Sequence, residues 1–411
     1  MKLVMALLVL ASLLRAPIDG QDWPQFRGPD GQGHAKVTAL PTKWSDTSEN
    51  IKWKTPIEGL GWSSPVIAND HVWLTTATDG GKSLRVVCVD AKTGKQVFNV
   101  EAFKADAPGK IHNKNSHASP TPIIDGDRVY VHFGSMGTAC VTAKGQILWK
   151  QILKYNPVHG SGSSPALVGD LLIISCDGSE SPFLVALDRK TGAQRWKSAR
   201  EPNTDQKKFA FCTPLPIEVG KTLQVVSPFA GGVTSYDPAS GRSIWHVRYP
   251  NGYSVVPRPV YGHGLVFLST GFDTPTVLAI KADGKGDVTE THVAWKLEKA
   301  APRNSSPLLV GDELYLISDD GVGSCLDAKT GKVHWQERIG GAYSASLFHG
   351  AGNIYFLSET GVMTVVKADK TYSVVAKNEL KGRTLASPAP IEGALFLRTD
   401  TQLFRIEAEA K

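Results

Sequence analysis

The 411-residue chain is 41% hydrophobic, 20% charged and 8% aromatic, with 40 Gly and 25 Pro. That apolar content excludes a disordered chain, no apolar run is long enough for a membrane-spanning helix, and the Gly and Pro content disfavours a long all-helical fold. The net charge of +6 is mild for this length, and basic clusters stop at pairs such as Lys207-Lys208, so no nucleic-acid partner is expected.

In chain order, residues 1–20 have the layout of a secretory signal. Lys2 gives the positive end, Leu3 to Leu14 the apolar stretch, and Ala16 and Gly20 the small residues for cleavage. No Cys lies near the cleavage region, so no lipid anchor is expected. The mature protein is expected to be exported, periplasmic or extracellular, with no transmembrane span. Residues 21–49, opening "DWPQFRGPDGQG", are too rich in Gly and Pro for a helix; Trp23 and Phe26 are expected to pack on the domain that follows.

From Ser63 onward the chain repeats. Each unit starts with Ser or Thr before Pro, as in "SSPVIANDHVWLT" and "SSPLLVGDELYLI", then a polar turn and an apolar run. The aligned prolines are Pro65, Pro122, Pro165, Pro216, Pro259, Pro307 and Pro388, with Leu347 in the remaining copy. Eight residues later come Trp73, Tyr130, Ile173, Gln224, Phe267, Tyr315, Phe396 and, after Leu347, Tyr355. The second half of the unit, "CVDAKTGKQVF" or "CLDAKTGKVHW", places an aromatic residue four positions after Gly: Phe98, Trp149, Trp196, Trp245 and Trp335. Trp295 ends a variant unit with a longer turn, "KADGKGD".

Short apolar runs punctuated by Gly, Asp and Asn read as four strands per unit. The predicted fold is all-β, an eight-bladed β-propeller of four-stranded antiparallel blades. The last unit runs out after three strands, and "NIKWKTPI" (residues 50–57) carries Trp53 in the closing-Trp context. This N-terminal strand is therefore expected to complete the last blade and close the ring. Residues 50–408 then form a single propeller domain, with 21–49 as an extension on it.

The D-A-K-T-G-K…W repeat resembles that of PQQ-like (pyrroloquinoline-quinone-type) propellers, and "DWPQFRGPDGQG" resembles the N-terminus of exported planctomycete-type members. The resemblance implies distant similarity to two kinds of protein, the BamB type of outer-membrane assembly lipoprotein and the quinoprotein dehydrogenases. It departs from the dehydrogenases in having no adjacent Cys pair, and from BamB in having no lipobox Cys.

Cys88, Cys140 and Cys325 share a repeat position that holds Ala186, Ser235 and Ala279 in other units, which marks a small buried site rather than a reactive thiol. His112, His117 and His132 show no metal-ligand spacing, so no metal site is expected. Loops entering the first strands and joining the second and third gather polar residues on one funnel face. The candidate ligand-binding residues are Trp62, Asn115, His117, Asp177, Arg258, Asp273, Arg303, Asn304, Asp319, Tyr343, Glu359 and Arg383. Two longer connections, Asn99 to Ser116 and Lys197 to Phe211, should emerge beside them.

No catalytic constellation is recognisable, which points to a non-catalytic binding or scaffold module for a protein, peptide or cell-envelope component, with no cofactor expected under this reading. The alternative is a PQQ- and calcium-dependent oxidoreductase acting on alcohols or sugars. A third reading is a carbohydrate-binding propeller.

Overall fold

The computed structural model describes residues 22–47, 50–200 and 207–408; the expected export signal lies outside the described residues. Eight antiparallel sheets follow one another in chain order and form an eight-bladed all-β propeller. Blades one to seven span residues 66–104, 123–151, 166–199, 215–248, 260–297, 308–338 and 348–379. Blade eight takes Ala389–Ile391, Ala394–Arg398 and Gln402–Glu407 from the end of the chain and its outermost strand, Ile51–Pro56, from near the start. Ile51–Pro56 lies antiparallel to Gln402–Glu407, with Lys54 opposite Phe404.

The repeat has a packing logic. In blades one, two and six a small residue of the third strand lies between two large ones: Cys88 between Trp73 and Phe98, Cys140 between Tyr130 and Trp149, Cys325 between Tyr315 and Trp335. Immediately after it the register with the fourth strand shifts, in blade one at Cys88/Val89 and in blade six at Cys325/Leu326. Such a bulge adds twist to the outer strand.

The Trp residues of the fourth strands then reach the next blade. Trp53 Nε1 donates to Ala91 O at 3.1 Å, Trp196 to Pro238 O at 2.8 Å and Trp295 to Ala328 O at 2.9 Å. Each ring lies against the turn Gly of that neighbour, Trp53 on Gly94 and Trp295 on Gly331. The Asp of the D-x-x-T-G turn holds the turn itself: Asp90 Oδ1 accepts from the Lys92 and Thr93 amides and from Thr93 Oγ1.

Three details differ from the expected pattern. In blade four the repeat proline is Pro214, not Pro216, and the residue facing the small position is Val226, not Gln224. Leu215 pairs with Val226, which pairs with Ser235, as Val66, Trp73 and Cys88 do in blade one. The first strand there has five residues against three in blade one, so counting from its turn misplaces both positions. Second, the long turn of blade five adds Gly286–Asp287 as a parallel fifth strand on blade four, with Gly286 opposite Trp245. Trp245 accordingly donates to Gln224 in its own blade at 3.0 Å. Third, the fourth strands of blades one and three run on to Lys104 and Ala199, so both connections are shorter than expected.

The N-terminal extension crosses the face opposite the funnel. Trp23 bridges to Ile67 in blade one, and the Pro24 carbonyl accepts from Ile124 in blade two. Gln32 Oε1 accepts from Tyr261 in blade five, Ala35 N donates to His349 O in blade seven, and Glu392 of blade eight accepts from Thr38. A segment that touches blades on opposite sides of the ring must pass over its axis.

Candidate functional site

The Ser/Thr-Pro repeat builds the axis of the ring. A residue before proline is held extended, and here its amide points at the next blade. The amide of Ser64 donates to Thr121 Oγ1 at 2.9 Å, Thr121 to Ser164 Oγ at 2.9 Å, and Ser164 to Thr213 Oγ1 at 3.0 Å. Arg258 donates to Ser306 Oγ at 2.9 Å, Ser306 to Ser346 at 3.2 Å, Ser346 to Ser387 at 2.9 Å, and Ser387 back to Ser64 at 3.0 Å. Between Thr213 and Arg258 the link is made by Arg258 Nη2, which donates to Pro214 O at 2.9 Å. The result is a hydrogen-bonded belt around the channel.

Above the belt opens a cavity of about 580 Å³, and Phe26 of the extension joins its lining from below. This is the size range of a ligand site. One wall is an arc of rings from successive loops. His112 lies 5.4 Å from His159, His159 5.2 Å from Phe209, Phe209 5.5 Å from Tyr253, and Tyr253 5.6 Å from Phe272. Cations flank the arc: Lys207 sits over Tyr253 at 4.4 Å and Arg303 over Phe272 at 5.5 Å.

From His112, the connection between blades one and two runs on toward the seventh blade. Lys114 Nζ pairs with Glu359 of the seventh blade at 2.7 Å. Arg383 Nη1 donates to Asn113 O at 2.9 Å, while its guanidinium lies 5.6 Å from the Trp62 ring. Ser344 also donates to Glu359, at 2.6 Å.

Of the candidate residues, Trp62, Asn115, Arg303, Asn304 and Asp319 line the cavity. Asp319 accepts from the Arg303 amide at 2.8 Å and from the Asn304 side-chain amide; burial raises its pKa against these bonds. Glu359 and Arg383 hold the overlying loop. Asp273 is exposed near the rim at a positive φ of 84°.

The other four are placed differently. Asp177 is buried between blades three and four, 2.5 Å from Arg200 Nε, and burial raises its pKa to about 6 despite that partner. Arg258 is 1% exposed and gives both terminal nitrogens to main-chain carbonyls. Tyr343 packs with Trp335 and Ile339 in the apolar contact between blades six and seven. His117 turns away to Gly109 O at 2.8 Å, its ring against Gly81. The aromatic arc is not among the residues expected from the sequence. Its signal was present: Phe209, Phe211, Tyr253 and Phe272 are aromatic residues in loops, off the repeat positions.

The family profile described as outer membrane protein assembly factor BamB matches residues 41–211 and 229–346, well over half of the chain. The chain belongs to this family. BamB of Yersinia pestis is 21% identical over 316 residues, covering 76% of this chain and 66% of that protein, just under two thirds of its length. The crystal structure of BamB from Moraxella catarrhalis superposes with a TM-score of 0.63 at 14% identity, over 86% of this chain and 98% of that one. The quinohemoprotein alcohol dehydrogenase ADHIIG from Pseudomonas putida HK5 gives 0.64 at 11% identity, over 96% and 81%. Both likenesses describe the fold of this BamB-family chain.

The oxidoreductase alternative set out from the sequence calls for PQQ and calcium. Calcium takes six to eight oxygen ligands. Among the described residues no three of His, Cys, Asp and Glu come together as a metal-holding set. Of the acids lining the funnel, Asp319 is engaged by Arg303 and Asn304, and Asp320 by Ser318. These residues do not fit the metal.

Proposed function

We propose that this chain is an exported, non-catalytic propeller that holds an extended segment of an envelope polypeptide in its axial funnel. The observation that carries this reading is the arc His112, His159, Phe209, Tyr253 and Phe272 along a cavity of about 580 Å³. A space of that size admits a few side chains and excludes a folded domain. Aromatic walls offer apolar area to side chains of varied shape, and the flanking Lys207 and Arg303 suit carbonyl and carboxylate groups. Membership of a family named for outer membrane protein assembly supports a polypeptide as the occupant and export as the setting. A periplasmic location follows from the same reading.

The test places a photo-crosslinking amino acid at Phe272, on the arc, or at Leu148, exposed on the outer edge of blade two. Purified, urea-unfolded outer-membrane β-barrel polypeptide is then diluted into each protein. Crosslinks are expected from position 272 and not from 148. Equal crosslinking from both, or none from 272, overturns the funnel as the site, and glycan capture in its place turns the reading to a carbohydrate-binding propeller. Dye reduction with alcohols or sugars after addition of PQQ and Ca²⁺ overturns the non-catalytic reading.

A further inference from the structure

Below Phe26 lie two arginines that the funnel does not use. Arg27 and Arg258 are 2% and 1% exposed. They are neighbours, because Arg258 Nη1 donates at 2.8 Å to the carbonyl of Phe26, the residue just before Arg27. Arg27 Nη2 donates to Gln32 O at 2.9 Å and Pro307 O at 2.7 Å, and Arg258 Nη2 to Pro214 O at 2.9 Å. Arg27 Nε and Nη1 and Arg258 Nε, all buried, have no protein partner.

Main-chain carbonyls satisfy N–H groups but do not neutralise charge. Neither arginine makes an ion pair with an acid among the described residues. Asp30, the acid whose field reaches both, is already engaged: Oδ2 lies 2.6 Å from His34 Nδ1, and Oδ1 accepts from the Gln32 amide at 2.8 Å. The Cys212 thiol near Arg258 is held protonated by burial. Burial and, for Arg27, the charge of Arg258 lower the pKa values to about 9 and about 10. Two buried like charges with free donors are costly unless something negative sits between them. The extension is also shaped around these groups. Gly31 and Gly33 have positive φ, and a Cβ on either would lie 2.3 Å from Arg258 Nη1 or 2.8 Å from Arg27 Nη2.

We infer that the N-terminal extension forms an anion site beneath the funnel, in which a monovalent inorganic anion of halide size is held between Arg27 and Arg258 by their unpartnered N–H groups. The anion pins the N-terminal extension to blades four to six and seals the base of the funnel. It is separate from the funnel occupant, since neither arginine lines that cavity.

Crystals of the mature protein grown with millimolar bromide test this directly. An anomalous peak between the two guanidinium groups is expected. An ordered water there without anomalous signal overturns the site, and a peak seen only at molar bromide marks an adventitious ion only and overturns it too. In solution, replacing gluconate by bromide at fixed ionic strength is expected to raise Tm by a few degrees, the signature of a ligand bound to the folded state. The rise is expected to vanish in Arg258→Met; an equal rise in that variant overturns the proposal. Should Arg258→Met fail to fold, the wild-type bromide peak decides.

Discussion

The amide of Ser387 donates to the hydroxyl of Ser64 at 3.0 Å, joining the last blade to the first across 323 positions of sequence. Arg398 reinforces the same seam, with Nη1 donating to Ser63 Oγ at 2.7 Å and Thr75 O at 2.9 Å. Ser64→Ala removes the acceptor and leaves the buried Ser387 amide unpaired. A loss of about 1–3 kcal/mol is expected in urea unfolding. Ser64→Thr keeps the hydroxyl and is expected to retain most of the stability; equal losses would show that the hydroxyl is not the reason.

The Trp53 seam can be tested at Gly94. Its φ is +72°, and an added Cβ would lie 2.6 Å from Trp53 Cδ2. Gly94→Ala is expected to destabilise the protein by about 2 kcal/mol or more through backbone strain and the clash together. Trp53→Phe, which loses the bond to Ala91 O, is expected to cost about 1 kcal/mol. The double variant is expected to lose less than the sum, because both changes act on one contact.

His132 gives the protein a proton-linked weakness. The ring is fully buried, Nδ1 is 2.8 Å from Thr138 Oγ1, and burial lowers its pKa to about 3. Unfolded, the ring takes up its proton near pH 6.5. Between these values the unfolded state binds one more proton than the folded state. Stability is therefore expected to fall as pH drops from about 6.5 toward 3, at no more than about 1.4 kcal/mol per pH unit from this group. Urea unfolding between pH 7 and 4 measures the slope, and His132→Gln is expected to reduce it by close to one proton.

The five cysteines are expected to be silent in the folded protein. All are free and buried, and burial raises the thiol pKa to about 12 in Cys88 and Cys325 and about 11 in Cys140. A thiol reagent at pH 8 should label none of them natively and all after denaturation. Fast native labelling at any one would place it outside the packing described.

Lys114 and Glu359 fasten the loop over the funnel mouth. Lys114→Glu replaces their 2.7 Å ion pair by repulsion. Hydrogen exchange is expected to rise several-fold in residues 105–120 and to stay unchanged in the blade strands. Protection lost throughout the ring would mean that the loop supports the fold rather than covering the cavity.

The propeller was legible in the sequence because its signals are local. A Ser before Pro, an Asp three residues before a Thr-Gly turn side chain, and an aromatic four residues after Gly each report a short-range need. The errors arose where a blade departs from the common strand length. Leu215–Val219 carries two extra residues, and a count from its turn cannot see them. Site residues were harder to read for another reason. A polar residue in a predicted loop can face solvent, as Asp273 does, or fold inward to a partner, as Asp177 does to Arg200. Nothing adjacent in sequence separates the two. The aromatic arc assembles residues from several loops, and only the ring geometry brings them within contact.

The pairing of Ile51–Pro56 with Gln402–Glu407 sets a delivery order. A chain threaded through an exporter from its N-terminus presents its first strand at once and the partner of that strand last. Throughout transit the first strand is a bare edge, free to pair with any other β-chain in reach. In the finished ring one side of that strand is paired with Gln402–Glu407. Under the proposed export, maturation is a race between the arrival of the C-terminus and capture by a stray strand, and slowing export is expected to cost yield without changing the stability of the molecules that close.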